Sequence, residues 1–136
     1  MGLGARLHLI HPLGFRVDEK AARRAGIDHW RHVDRVEHAD EAAFWSWAGQ
    51  RRVHLLSARG SRPFTAIRFQ LDDVILFGRE STGLPDPLVA ERGAWRIPLR
   101  GQAGQPSRVR SLNLANAVAV VGYEAYRQLL PEDFEP

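Results

Sequence analysis

The chain has 136 residues, 44% of them apolar, which suffices for one domain with its own core and excludes a disordered tail. Cysteine is absent, so disulfide frameworks, thiolate zinc sites and cysteine nucleophiles are excluded together. The formal charge is +3 and Lys20 is the single lysine; this arginine-rich balance suits a nucleic-acid partner, because guanidinium forks match phosphate, and a GC-rich genome produces the same bias.

Leu7-His8-Leu9-Ile10 is a short apolar run that ends at His11-Pro12-Leu13-Gly14 and reads as a strand feeding a loop. Asp18 is placed to cap a helix over 19–25, with Gly26 as its stop. Residues 32–36 are weakly strand-like. Asp40 opens a second helix over 41–48, closed by Gly49. A clear strand follows over 53–57 and leads into Arg59-Gly60, and 66–69 reads as a short edge segment. Val74-Ile75-Leu76-Phe77 is a β-rich, buried strand that runs straight into Gly78. The spacing predicts a short helix over 87–92 and a strand over 95–98, ended by Pro98. The stretch 100–110, rich in Gly, Gln, Pro and Arg, is a loop. The last helix is predicted over 112–130 and stops at Pro131, with Leu114, Val118, Val121, Ala125 and Leu129 at helical spacing. Alternation of strands and helices predicts an α/β domain over 1–136 with a mostly parallel sheet flanked by helices. No apolar run reaches the roughly 20 residues of a membrane span. Leu7 to Ile10 is too short for a signal-peptide core. The expectation is a cytoplasmic protein with no membrane partner.

Chemistry concentrates in the second half. Gly78-Arg79-Glu80-Ser81-Thr82-Gly83 sits at the carboxyl end of a buried strand, where ligands of open α/β sheets bind. Its glycine spacing resembles half of a phosphate-binding loop, but Leu84-Pro85 stands where Lys-Ser/Thr is needed, so triphosphate binding is not expected. No GxGxxG is present for a dinucleotide. Read without ligands, the segment is an ordinary strand-to-helix turn. Ser111 and Asn113 are both N-cap residues at the start of the longest helix, and Asn116 shares a face with Asn113. Capping plus a solvated face is the plain reading of that group. Gly122, in mid-helix, marks a close packing or dimer face edged by Tyr123 and Glu124. His29 and His32 lie near Asp28 and Asp34, but no HExxH spacing appears, so no metal is expected. A nucleophilic serine of the G-x-S-x-G type is also missing. Phe44, Trp45 and Trp47 read as core and rim aromatics of a helix.

Taken in order, Leu76 to Pro85, Ile97-Pro98-Leu99 and Arg110 to Ala117 resemble the SPOUT class of RNA 2′-O-methyltransferases. The chain is most similar to the family that methylates the ribose of nucleotide 34, the wobble position, in tRNA. Leu7 to Phe15 and Lys20 to Asp28 look like two further elements of that family, so the resemblance runs from Gly4 to Leu130. It implies an α/β fold with a deep trefoil knot over about 74–130, S-adenosylmethionine (SAM) as cofactor, a homodimer through the knot region and the tRNA anticodon loop as partner. It places Leu56, Gly78, Ile97, Leu99, Ser111 and Leu112 in the cofactor pocket. Glu80 and Asn113 match active-site motif residues, and Tyr123 matches a tyrosine linked to tRNA binding. The chemistry requires no metal.

Three departures qualify the match. The family's first strand and helix, with an Asn-Thr-Gly-Asn…Arg element, have no counterpart before Gly4, so the fold is expected to be shortened at its N-terminus. Arg79 and Thr82 stand where the family has Pro and Arg. The loop over 100–110 is longer and carries Arg100, Arg108 and Arg110. Arg79, Arg108 and Arg110 are therefore the expected RNA contacts. Two readings stay open: an active tRNA 2′-O-methyltransferase, or a shortened, catalytically impaired knotted module that binds SAM or RNA without turnover.

Overall fold

The computed structural model describes residues 2–14, 26, 30–100 and 109–135. The helix predicted over 19–25 and most of the loop over 100–110 lie outside these. The chain forms two compact units, residues 1–49 and 50–136.

In the first unit, β1 (Leu7–Ile10) pairs in parallel with β2 (Arg35–His38), and Leu9 and His38 turn inward. The weak strand signal over 32–36 is displaced, since Trp30–His32 forms a 3-10 turn and pairing begins at Arg35. The Arg35 guanidinium packs 4.9 Å from the Trp30 ring and donates to the Trp30 carbonyl at 3.2 Å, which holds that turn against the strand start. Helix α1 (Glu41–Ala48) follows its sequence signal. Asp40 Oδ1 accepts from the Ala43 amide at 2.8 Å, and Gly49, at φ +53°, ends it. Phe44 and Ala48 are buried, and the ring of Trp47 lies 4.0 Å from that of His8, which shares a 2.9 Å hydrogen bond with His38.

The second unit is built on a parallel sheet: β3 (Val53–Leu56), β4 (Arg62–Pro63), β5 (Val74–Phe77) and β6 (Trp95–Arg96), in the order β4-β6-β3-β5. The near-continuous apolar runs of β3 and β5 suit a parallel sheet, whose strands lose water on both faces. Their register is Val53↔Val74 through Leu56↔Phe77. Helix α2 (Asp86–Arg92) precedes β6, and α3 (Leu114–Leu129) closes the unit. Helix α3 lays Val121 and Ala125 on a core of Leu56, Phe64, Ile67 and Phe69.

Local differences from the sequence reading have physical causes. The segment over 66–69 is not a strand. A 3-10 turn, Phe64–Ala66, drives Phe64, Ile67 and Phe69 into the core, and side chains satisfy the backbone that follows. Gln128 donates to the Ile67 carbonyl at 3.1 Å and accepts from the Phe69 amide at 3.0 Å, while Arg52 donates to the Arg68 carbonyl at 2.8 Å. The strand over 95–98 shrinks to Trp95–Arg96, since Pro98 has no N–H to continue a ladder. Helix α3 starts at Leu114, because Asn113 and not Ser111 is its N-cap.

At the amino ends of β3 and β5, buried His54 and Asp73 pair at 2.9 Å, with Arg52 Nε 3.3 Å from the same carboxylate. The Gln70 amide donates to Asp73 at 2.9 Å, so this buried carboxylate is well satisfied.

Candidate active site and cofactor cradle

The opposite, carboxyl edge of the same sheet carries the Gly78 turn and the Glu80–Asn113 pair among the residues singled out for chemistry. β5 delivers the chain to Gly78, where a Cβ would lie 2.0 Å from the Gly83 carbonyl carbon and 2.1 Å from the Leu84 nitrogen. No side chain fits that crossing, which explains the first glycine. Residues 79 to 83 close on themselves: the Arg79 amide donates to the Gly83 carbonyl at 3.3 Å and the Gly83 amide to the Arg79 carbonyl at 2.7 Å. Gly83 takes φ +73°, which explains the second glycine. The pair of glycines therefore builds a self-bonded turn. A phosphate-cradling loop instead leaves its N–H groups open to the ligand.

Leu56 is paired with Phe77 on one side and Trp95 on the other, so the ends of β5, β3 and β6 lie side by side. Leu56 is buried in the core with Ile97 packed against that cluster, and Gly78 and Leu99, which follow β5 and β6 in the chain, are half-buried. Half-buried Leu112 and exposed Ser111 lead into the cap of α3.

The start of α3 is tied to the turn after β5 by one side chain. Asn113 Oδ1 accepts from the amides of Ala115 at 2.9 Å and Asn116 at 3.4 Å. Its Nδ2 donates to Glu80 Oε1 at 2.9 Å, across 33 residues of sequence. The capping role fixes which end of the amide faces Glu80. A carboxylate is thus held at the positive end of a 16-residue helix, in an exposed position. The two residues expected to be catalytic are brought together.

Arg79 and Arg110 are exposed, and Arg108 lies outside the described residues. Tyr123 is 51% exposed on α3, ten residues beyond Asn113, or about 15 Å along the helix. It stands apart from the Glu80–Asn113 pair and packs edge-on against Tyr126. Among the described residues, no group of three His, Cys, Asp or Glu is arranged to hold a metal ion, and no helix is long and apolar enough to cross a membrane.

Two features were missed by sequence reasoning. Arg59 crosses from the turn after β3 to the end of the Gly78 turn, donating to the Leu84 carbonyl at 2.9 Å and pairing with Asp86 at 2.5 Å. Its only sequence signal was a position just after a strand. The second is an open groove of about 530 Å³ lined by Arg68, Phe69, Arg127, Gln128 and Pro131. It lies near the far end of α3 from Asn113. Beside it, the Arg127 guanidinium donates twice to Glu124 and holds that carboxyl below its ordinary value, assisted by Gln128 and opposed by burial.

Comparison with known proteins gives a consistent picture. The model of the SpoU rRNA Methylase family matches residues 1–123. A tRNA (cytidine(34)-2'-O)-methyltransferase of Escherichia coli K12 is 41% identical over 130 residues, covering 93% of this chain and 78% of the relative. A relative of the same name from Beijerinckia indica is also 41% identical over 130 residues, with coverage of 93% and 78%. A solved structure concerned with the 2-OH methylation of C/U34 on tRNA superposes with a TM-score of 0.79 at 47% identity, covering 90% of this chain and 78% of that one. An AdoMet-bound rRNA methyltransferase from Sinorhizobium meliloti superposes with a TM-score of 0.71 at 29% identity, covering 95% and 48%.

Proposed function

The chain belongs to the SpoU methylase family, and on that premise we propose that it methylates the ribose 2′-oxygen of the wobble nucleotide, position 34, in tRNA, with SAM as methyl donor. The observation that carries this reading is the 2.9 Å Asn113–Glu80 bond at the carboxyl ends of three parallel strands.

When bound, SAM supplies an electrophilic methyl group on a sulfonium. Leu56, Ile97, Leu99 and Leu112 would hold it by apolar contact, and Gly78 and Ser111 would offer backbone groups to it. Glu80, oriented by Asn113, would accept the hydrogen bond of the incoming 2′-hydroxyl and hold its proton while that oxygen gains the methyl group and the methyl–sulfur bond breaks, with S-adenosylhomocysteine as the leaving group. Alignment of the hydroxyl with the methyl group is the larger contribution, since a well-held approach geometry lowers the barrier more than any single proton acceptor. Arg79, Arg110 and Arg108 contact anticodon-loop phosphates, and Tyr123 offers a ring for a base or sugar. A cytoplasmic location goes with this reading, since its substrate is a tRNA.

We also infer that residues 74–130 form the knotted region and that the protein is a homodimer through it. Val120, Tyr123 and Leu130 are exposed and share one face of α3 and its end by helical spacing, and a stripe of that kind supports a helix interface.

The test is calorimetric titration of SAM, followed by transfer of labelled methyl from SAM to unmodified tRNA with mapping of the modified ribose. Methylation at nucleotide 34 is the expected result. SAM binding with no transfer would instead favour the impaired-module reading.

A further inference from the structure

The strongest feature outside the motifs is Arg59. We propose that it is a positioning residue that latches the turn over 79–84 in its cofactor-ready shape through the carbonyl of Leu84. The proposal rests on the reading of the Gly78 turn as a wall of the SAM cradle.

The turn has a weak exit. After Gly83 the chain must bury Leu84, which is 5% exposed, and start α2 at once. Pro85, the N-cap of α2, has no side-chain cap to offer. A backbone carbonyl in so buried a residue needs a donor. Among the described residues its donor is Arg59, 25 residues earlier.

Arg59 is itself held firmly. Its amide donates to Ser57 Oγ at 3.2 Å, and the Gly60 amide donates to the Ser57 carbonyl at 3.0 Å. Ser57 in turn donates its amide to the Trp95 carbonyl at 2.9 Å. A Cβ at Gly60 would lie 2.4 Å from the Trp95 carbonyl carbon, so the turn after β3 is pressed directly on β6. A rigid turn therefore aims one guanidinium nitrogen, Nη2, at both Leu84 and Asp86. The two contacts differ in worth. The Asp86 side chain is 77% exposed and its ion pair is screened by water, whereas Leu84 is a buried residue whose carbonyl makes a part-buried contact. The carbonyl contact is the latch.

The experiment compares wild type with Arg59→Met, Arg59→Lys and Asp86→Asn. Amide hydrogen exchange over 79–84 in the free protein reads the latch directly, and calorimetry and kinetics read its consequence. Arg59→Met is expected to speed exchange of this segment about tenfold and to raise the Kd and KM for SAM about tenfold, with kcat at saturating SAM within about twofold. Arg59→Lys restores part of the affinity, having one charged donor but no fork. Asp86→Asn stays within about twofold of wild type in both measures. Exchange unchanged in Arg59→Met, or Asp86→Asn matching it, overturns the proposal. Failure of wild type to bind SAM overturns the functional reading instead, while the exchange data still decide the latch.

Discussion

Replacing Asn113 by Asp separates the two tasks of that side chain. The capping oxygen survives, since Asp ranks with Asn as an N-cap, and the bonds to the Ala115 and Asn116 amides are kept. The Nδ2–H donor to Glu80 is lost, and a second carboxylate faces the first. Two exposed carboxylates about 4 Å apart repel by only about 1 kcal/mol in water, so they swing apart and the fold tolerates the change. The unmoored Glu80 does not tolerate it: a displacement of about 1 Å at a reacting group costs on the order of 100-fold in rate. Asn113→Ala removes both tasks and adds the loss of the cap, about 1 kcal/mol, which lowers Tm by roughly 4–8 °C for a unit of this size. The assay is single-turnover methyl transfer to tRNA at saturating SAM, paired with thermal unfolding. Asn113→Asp is expected to melt within a few degrees of wild type yet transfer about 100-fold more slowly. An Asn113→Asp protein that transfers methyl at the wild-type rate refutes the role given to the Glu80–Asn113 bond.

Other predictions follow from the same geometry. Gly78→Ala puts a methyl group 2.0 Å from the Gly83 backbone and is expected to abolish measurable SAM binding by calorimetry. Asp73→Ala strips buried His54, the Gln70 amide and Arg52 of their shared acceptor. It is expected to lower stability by about 2–3 kcal/mol in urea unfolding, and because it lies at the other end of the sheet, SAM affinity of the folded protein stays at the wild-type value. Glu124 titrates below its ordinary value of 4.5 because Arg127 and Gln128 bond its ionised form. The stability it contributes is therefore fully present above about pH 4.5 and is lost as pH falls through the lowered folded value. Urea midpoints of wild type and Glu124→Gln should differ by a constant amount down to that pH and converge below it; a gap that persists into acid contradicts this. Tyr123→Asp charges the exposed face of α3 and is expected to yield monomers in sedimentation velocity.

Much of the fold was written in short-range pattern. The cap at Asp40 and the stop at Gly49 define α1, and the apolar runs of β3 and β5 define the parallel sheet. The site was legible in part: Gly78, Gly83, Glu80 and Asn113 stood out as residue types at strand and helix ends, and the fold joins the last two at 2.9 Å. The sequence by itself could determine these because apolar periodicity, caps and glycine-dependent turns act within one or two turns of backbone. Only the tertiary structure decided the rest. The segment over 67–69 takes its hydrogen bonds from Arg52 and from Gln128, some 60 residues away, so no local propensity reveals it as irregular. The Asn113 amide chose the helix start over Ser111 because it alone caps and reaches Glu80 at once. Arg59 became a latch only when β3 and β5 were laid side by side, bringing Leu84 from 25 residues away to its guanidinium. Pairings of that range depend on strand order, which is a property of the whole unit and leaves no spacing in the chain.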